Sequence, residues 1–341
     1  MRKRSWLIVA LGLLLAVPLP PFPAAAAESA GSLQLLFRCD GTIADFDQRH
    51  VVWIQTGGKA LWLYDRSDQS QTMVYAASGT DATIRDAGLF DGGVVFALGS
   101  HFTHYWKDGT VRPITDLHPA PSKTWALAKL MGLQDADVQE DGTVVIATRN
   151  DLNRLSPDGA WTKLVTRPPG KVAEWFHQPL GYYGPLTDGR NIVFRELMVR
   201  NNYTYLKWVI RLLGADGTLT TLAVNPWPGP DGLYRINNGW VAYAEYNMET
   251  ERWNVIVRSP EGAEQTVYET PRWWNKINAP LRIDQIGPDG TVSFRFHDMA
   301  YLYSPREGKF LQTAQGLAAA FRYESGAWYR LSNDSLYAVP G

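Results

Sequence analysis

The chain has 341 residues, of which 45% are hydrophobic, 12% aromatic and 20% charged. This composition is typical of a folded protein with a substantial core and excludes an intrinsically disordered chain. The formal net charge is −1, from 33 basic and 34 acidic residues. A strongly basic surface is therefore not predicted, and we expect neither nucleic acid nor an anionic membrane as a partner.

The N-terminus has the features of a secretory signal peptide. "MRKR" is a cationic start, "WLIVALGLLLAVPL" (6–19) is a short apolar segment, and "AAAAES" supplies a small-residue cleavage site near Ala27. The apolar segment is too short for an ordinary membrane span, and no second one follows. We expect residues 1–27 to be removed and residues 28–341 to form one exported domain, secreted or on the exterior of the cell envelope. The single cysteine, Cys39, is not at a lipoprotein-type cleavage position and cannot form an internal disulfide.

Turn signals recur along the rest of the chain. One series precedes β-branched or aromatic runs at intervals of 47 to 51 residues, at Asp91, Asp141, Asp188, Asn238 and Asp289. A second series, including "YWKDGTVRPI" (105–114) and "RLSPDGAWTKL" (154–164), follows apolar alternation. Asp-Gly and Asn-Gly between alternating runs predict β-hairpins with positive φ at both turn residues. Two hairpins per repeat predict four strands per repeat, which is typical of a β-propeller blade.

Counting these repeats predicts an all-β fold, a seven-bladed β-propeller of four-stranded antiparallel blades, with six blades as the alternative count. The predicted blades span about 42–77, 82–117, 133–167, 180–224, 231–269, 281–314 and 316–340. The last unit has only three strands, whereas "LQLLFRC" (33–39) is a strand without a partner of its own. Because an unpaired sheet edge is unfavourable, strand 33–39 is predicted to be the outer strand of the last blade and to close the ring.

The repeat pattern resembles exported propellers of the broad TolB-like and WD-repeat-like type, over essentially the whole mature chain. "DGTVVIAT" (141–148), "DGTVSFRF" (289–296) and "SPDG" (156–159) carry this resemblance. The chain lacks a Trp-Asp dipeptide, and "SPDGAWT" (156–162) departs from the spacing of a sialidase Asp-box. The resemblance therefore implies a fold and no particular activity.

The predicted connections differ between the two faces of the propeller. Turns within hairpins are tight, whereas the connectors 118–132, 168–181, 225–232 and 270–280 are long and rich in tryptophan. Aromatic residues on surface loops favour recognition of an extended ligand, a carbohydrate or a segment of a surface protein. The alternative is that each tryptophan packs as a lid between blades. The predicted ligand-binding residues are Trp125, Trp175, Trp227, Trp273, Trp274, Tyr203 and Arg149.

Carboxylates on the same face offer a catalytic alternative. Glu196 and Glu245 occupy equivalent positions in adjacent predicted blades, and His297 with Asp298 follows in the next blade. A pair of carboxylates with separated pKa values is the requirement of a glycosidase, and a His–Glu pair suits a polysaccharide lyase. The competing interpretation pairs each glutamate with a neighbouring arginine. Non-catalytic binding is favoured, and a structural scaffold in an envelope complex is a further alternative.

One histidine pair raises the question of a metal site. His101 and His104 are three residues apart, and His118 or His177 could supply a third ligand. This spacing is far less specific than paired Cys-x-x-Cys motifs, and no Asp-rich calcium loop accompanies it. We therefore expect neither a metal nor another cofactor.

Overall fold

The computed structural model describes residues 33–78, 83–90, 92–98, 103–114, 136–139, 141–148, 151–166, 178–199, 206–226, 232–272 and 281–340. These residues form 28 β-strands in seven four-stranded antiparallel sheets and no α-helix. The prediction of an all-β, seven-bladed propeller is confirmed. Within the same ranges, no helix is long and apolar enough to cross a membrane.

The sheets are numbered I to VII in chain order. Strand β1 (Gln34–Arg38) precedes sheet I and belongs to sheet VII. Sheet I contains β2 (Gly41–Phe46), β3 (His50–Gln55), β4 (Ala60–Asp65) and β5 (Ser70–Ala76). Sheet II contains β6 (Asp86–Phe90), β7 (Gly93–Ala97), β8 (His104–Lys107) and β9 (Thr110–Pro113). Sheet III contains β10 (Ala136–Val138), β11 (Val144–Ala147), β12 (Asp151–Leu155) and β13 (Trp161–Thr166).

The remaining four sheets follow the same order. Sheet IV contains β14 (Gln178–Thr187), β15 (Ile192–Val199), β16 (Leu206–Leu213) and β17 (Leu219–Pro226). Sheet V contains β18 (Tyr234–Asn237), β19 (Trp240–Asn247), β20 (Arg252–Arg258) and β21 (Glu264–Glu269). Sheet VI contains β22 (Leu281–Ile286), β23 (Val292–Phe296), β24 (Met299–Ser304) and β25 (Lys309–Gln315). Sheet VII contains β26 (Ala320–Glu324), β27 (Ala327–Leu331), β28 (Ser335–Ala338) and β1.

The N-terminal strand completes the last blade. Strand β1 pairs antiparallel with β28, with Phe37 opposite Leu336 and Arg38 opposite Ser335. The Cys39 N–H donates to the Asp334 carbonyl at 3.0 Å and extends this pairing beyond the strand. The first and last described strands therefore pair in one sheet, and β1 is the outer strand of sheet VII as predicted.

Two kinds of turn join the strands, and one of them differs from the prediction. At Asn238-Gly239 both residues have positive φ, 48° and 81°, as a two-residue hairpin turn requires. At Asp141 and Asp289 only the following glycine has positive φ, and the turn is wider. There the aspartate carboxylate accepts the N–H of the threonine two residues later, at 2.8 and 3.0 Å. The carboxylate thus replaces the second left-handed residue in holding the turn.

The core lies between the sheets, because a strand in a blade buries side chains on both of its faces. The largest buried cluster joins sheets IV, V and VI and includes the fully buried Trp253. A separate cluster packs sheet VII against sheet I through Phe46, Trp53, Tyr329 and Leu336. Contacts between first strands, such as β2 with β6, β10 with β14, β18 with β22 and β22 with β26, add to this packing between neighbouring sheets.

Candidate functional site

The topology separates two edges of the sheets. Because the strands are antiparallel, the first strand starts and the fourth strand ends at the same edge, which we call the connector edge. The chain crosses this edge between Pro113 and Ala136, between Thr166 and Gln178, between Pro226 and Tyr234, and between Glu269 and Leu281. The turns between second and third strands also lie at the connector edge, whereas the opposite edge, called the turn edge, carries the turns from first to second and from third to fourth strands.

The predicted ligand-binding residues belong to segments at the connector edge. Five tryptophans occur in the four connections just named, and the remaining two candidates follow second strands. Their side chains lie outside the described residues, so the predicted binding surface stays a prediction. These residues are Trp125, Trp175, Trp227, Trp273, Trp274, Tyr203 and Arg149.

Glu196 lies between sheets III and IV. Its side chain has the same orientation as Phe194 in β15, and Phe194 packs against residues of sheet III. One carboxylate oxygen accepts a hydrogen bond from Arg211 Nε at 2.8 Å, and the residue is 8% exposed. The arginine that pairs with Glu196 is therefore in the neighbouring strand of the same sheet.

Glu245 lies in a different interface. It shares a face of β19 with Tyr243, and Arg258 of the same sheet pairs with Glu264 at 2.9 Å instead. The opposite face of sheet V packs on sheet VI, since Tyr268 there contacts Phe294. Burial raises the pKa of Glu245, and the nearby Glu264 raises it further.

The structure does not bring the two glutamates together. Glu196 is on the side of sheet IV that meets sheet III, whereas Glu245 is on the side of sheet V that meets sheet IV. The sheet IV backbone therefore separates them. Equivalent positions in successive blades face the same way around the propeller, so equivalence in the repeat keeps such residues apart.

His297 and Asp298 form the turn between β23 and β24. His297 is exposed, has a φ of 55°, and places its imidazole against Phe296 at a centroid distance of 4.5 Å. The Asp298 carboxylate accepts a hydrogen bond from Gln315 Nε2 at 3.2 Å. Both residues are at the connector edge of sheet VI, on the other side of sheet V from the face that carries Glu245.

The histidine pair is only partly described. His104 stacks on Phe96 with ring centroids 5.1 Å apart, and its Nδ1 is 2.8 Å from the Thr103 hydroxyl. His101, His118 and His177 lie outside the described residues. Among the residues that are described, no group of three or more His, Cys, Asp or Glu side chains is arranged to hold a metal ion.

Polar residues on the first strands form a second candidate site, which the sequence analysis did not identify. In each sheet, one residue of the first strand lies opposite a mid-strand residue of the second strand, and we call these seven the inner positions. They are Asp45 opposite Val52, Gly88 opposite Val95, Asp137 opposite Val145, Leu186 opposite Val193, Arg235 opposite Ala242, Gln285 opposite Ser293, and Arg322 opposite Tyr329.

Most inner positions join one sheet to the next. The side-chain oxygens of Asp45, Asp137 and Gln285 each accept an N–H from the first strand of the following sheet. The Leu89 N–H to Asp45 and Thr187 N–H to Asp137 distances are both 2.8 Å. Arg322 forms an ion pair with Asp45 across the contact between sheets VII and I. These polar groups therefore bind the blades to one another.

A cavity of about 440 Å³ opens among the first strands of sheets III to VII. This volume is within the usual range for small-ligand sites. The Asp284 carboxylate at its wall is held by two hydrogen bonds from Arg295, both 2.8 Å long. The polar residues that line the cavity are Asp137, Thr187, Arg235, Asn237, Asp284, Gln285 and Tyr323.

A second cavity of about 590 Å³ adjoins the first at the turn edge. The two share the lining residues Thr187, Ile236 and Asn237, so they lie side by side. Arg154 lines the second cavity, and its Nε is buried without a hydrogen-bond partner among the described residues. The signal in the sequence was the pair of strands "LYRINNG" (233–239) and "LRIDQIG" (281–287), which place charged and amide residues at positions where a buried strand is apolar.

Comparison with known proteins bears on the architecture. No protein-family model and no curated protein matches the chain by sequence. Saccharomyces cerevisiae Sqt1 is a similar solved structure, with 7% identity, coverage of 92% of this chain and 99% of that chain, and a TM-score of 0.41. A Xanthomonas campestris gluconolactonase has 11% identity, coverage of 90% and 89%, and a TM-score of 0.37. Acinetobacter baumannii TolB has 10% identity, coverage of 84% and 62%, and a TM-score of 0.35. At these identities and TM-scores the comparisons assign neither a family nor an activity to this chain.

Proposed function

We propose that the protein is an exported binding module that recognises an extended ligand, a carbohydrate or a segment of a surface protein, at the connector edge. One observation carries this proposal. The strand bounds bring four long connections to the same edge of the sheets, and every one of them carries tryptophan. A rigid scaffold that presents aromatic residues on neighbouring loops is suited to stacking on sugar rings or to packing on an extended peptide.

The described carboxylates support binding over catalysis. A glycosidase needs two carboxyl groups on either side of one scissile bond. Here Glu196 is occupied by Arg211, and the sheet IV backbone lies between Glu196 and Glu245. The tryptophans of the connector edge are therefore the basis of the proposal.

The test measures retention of the purified protein on insoluble polysaccharides and on immobilised peptides. The variants are Trp273→Ala, Trp274→Ala and Trp125→Ala. The control is Trp161→Ala, because Trp161 is 54% exposed but belongs to the outer strand β13, away from the connectors. We expect about a tenfold loss of retention for at least one connector variant and an unchanged melting temperature for that variant.

Two results would contradict the proposal. Retention that is unchanged in all three connector variants would remove the tryptophans from recognition. Release of soluble sugar from a retained polysaccharide, abolished by Glu245→Gln, would establish the glycosidase or lyase alternative instead.

A further inference from the structure

Arg235 differs from the other charged residues at the inner positions. Its Nε donates to the Asp284 carbonyl at 2.7 Å, and its Nη1 donates to the Tyr234 carbonyl at 2.7 Å. Both acceptors are neutral backbone groups, and no described carboxylate forms an ion pair with this guanidinium. Arg322, the other inner arginine, pairs with Asp45.

Arg235 lines the cavity, and its guanidinium has more N–H donors than these two contacts use. Arginine has five N–H donors, and the two contacts named above use two of them. Burial lowers the pKa of Arg235 and the neighbouring Arg282 lowers it further, while the charges of Asp284 and Asp137 raise it; the net shift is downward. The two carboxylates therefore offset only part of the cost of burying this cation, and an anion bound in the cavity would offset more of it.

The other groups that line the cavity indicate which ligand groups, besides an anion, would fit there. Gln285 uses its side-chain oxygen on the Tyr323 N–H, so its amide N–H groups are the part available to the cavity. Asp137 and Asp284 place carboxylate oxygens in the wall, where they suit hydroxyl donors. The same carboxylates disfavour a dianion through like-charge repulsion. The cavity therefore combines one guanidinium, which can donate two hydrogen bonds to an anion, with carboxylates that can accept hydrogen bonds from hydroxyl groups.

We propose that the cavity among the first strands of sheets III to VII binds a small hydroxylated carboxylate, such as a sugar acid, with its carboxylate on Arg235. The hydroxyl groups then donate to Asp137 and Asp284, and Gln285 donates to the ligand. The adjoining cavity at the turn edge is the route of access. This site is distinct from the connector edge and does not depend on the tryptophans there.

The variant Arg235→Gln isolates the charge. Its Nε2 occupies nearly the place of the arginine Nε, so the hydrogen bond to the Asp284 carbonyl is kept while the cation is removed. Gln285→Glu is the second variant, because it keeps an acceptor for the Tyr323 N–H and turns the cavity-facing amide into a carboxylate. Arg258→Gln is the matched control, since Arg258 pairs with Glu264 and does not line the cavity.

The measurement is calorimetric titration of the purified protein with glucuronate, galacturonate and lactate, alongside glucose and inorganic phosphate. We expect at least one carboxylate to bind at millimolar concentration, with glucose and phosphate at least about tenfold weaker. Arg235→Gln and Gln285→Glu should each weaken that binding by about tenfold or more, and Arg258→Gln should leave it unchanged.

Several results would overturn the proposal. These are the absence of binding for all three carboxylates, equal binding of glucose, and binding that survives Arg235→Gln in a protein that still melts cooperatively. Phosphate binding tighter than that of every carboxylate would show an anion site of a different class. Should Arg235→Gln fail to fold, Gln285→Glu alone decides, because binding undiminished in that variant excludes the cavity.

Discussion

The pairing of β1 with the last blade can be tested at Phe37. The side chain of Phe37 is 7% exposed, and its ring centroid lies 4.7 Å from that of Tyr64 and 5.3 Å from that of Trp53. Phe37→Ala removes an aromatic ring from the contact between sheets VII and I and leaves a cavity there. Truncation of a buried phenylalanine costs about 3–5 kcal/mol.

The expected change in melting temperature follows from the size of the protein. At about 2 °C per kcal/mol for a chain of this length, Phe37→Ala should lower the midpoint by roughly 6–10 °C. Leu35→Ala is the control in the same strand, because Leu35 is 50% exposed and its truncation should cost less than about 1 kcal/mol. Both are measured by circular dichroism during heating, together with deletion of residues 33–39.

Phe37→Ala and Leu35→Ala should differ in melting temperature, because Phe37 is buried and Leu35 is exposed. A midpoint for Phe37→Ala within about 1 °C of the unaltered protein would refute the reasoning, since a buried contact between the first and last blades cannot be removed without a penalty. Equal losses for Phe37→Ala and Leu35→Ala would also refute it, because the strand would then act through its backbone alone.

Two further predictions concern buried carboxylates. Arg211→Met leaves Glu196 buried without its partner and should lower the free energy of unfolding in urea by about 3–5 kcal/mol. Arg252→Met breaks the exposed pair with Glu269 and should lower it by less than about 1 kcal/mol. Similar losses for the two variants would contradict the assignment of the buried pair. The raised pKa of Glu245 means that the folded protein binds the Glu245 proton more tightly than the unfolded chain does. Protonated Glu245 therefore stabilises the fold below the ordinary pKa of 4.5, and this stabilisation is lost as the pH rises through the folded-state pKa. Glu245→Gln should therefore raise the urea midpoint, relative to the unaltered protein, at about pH 7 but not at about pH 4. The same difference in midpoint at both pH values would contradict the raised pKa of Glu245.

The sequence predicted the blades because the strands and turns are local. Alternation of apolar residues and the Asp-Gly and Asn-Gly signals depend on near neighbours in the chain, so they could be read without the fold. The pairing of β1 with β28 was also predictable, since an unpartnered strand and a three-stranded unit complement each other. The turn at Asp141 was predicted as a tight hairpin turn because the carboxylate contact to Thr143 is not visible in a dipeptide signal.

The candidate sites were harder to predict, because they depend on which way a side chain faces between blades. Glu196 and Glu245 align in the repeat, yet each faces the blade before its own, so alignment placed together two residues that the fold separates. Arg235 could not be predicted from the sequence, because it lies in a short strand and not in a loop, and a single arginine in a strand carries no motif. Arg235 becomes a candidate binding residue only when its contacts are compared with those at the other six inner positions.

Those counterparts show that the charge of Arg235 is not required to join the blades. At Asp45, Asp137 and Gln285 a side-chain oxygen accepts a hydrogen bond from the next sheet. Arg235 reverses the direction of that bond, because it donates to the Asp284 carbonyl, but one neutral N–H at the position of Nε would do the same. The positive charge adds a desolvation cost, and the nearby charges of Asp284 and Asp137 offset only part of it, since the net shift of the Arg235 pKa is downward. A residue that is more costly than its structural contact demands points to a ligand, and the ligand that recovers the cost is an anion in the adjoining cavity.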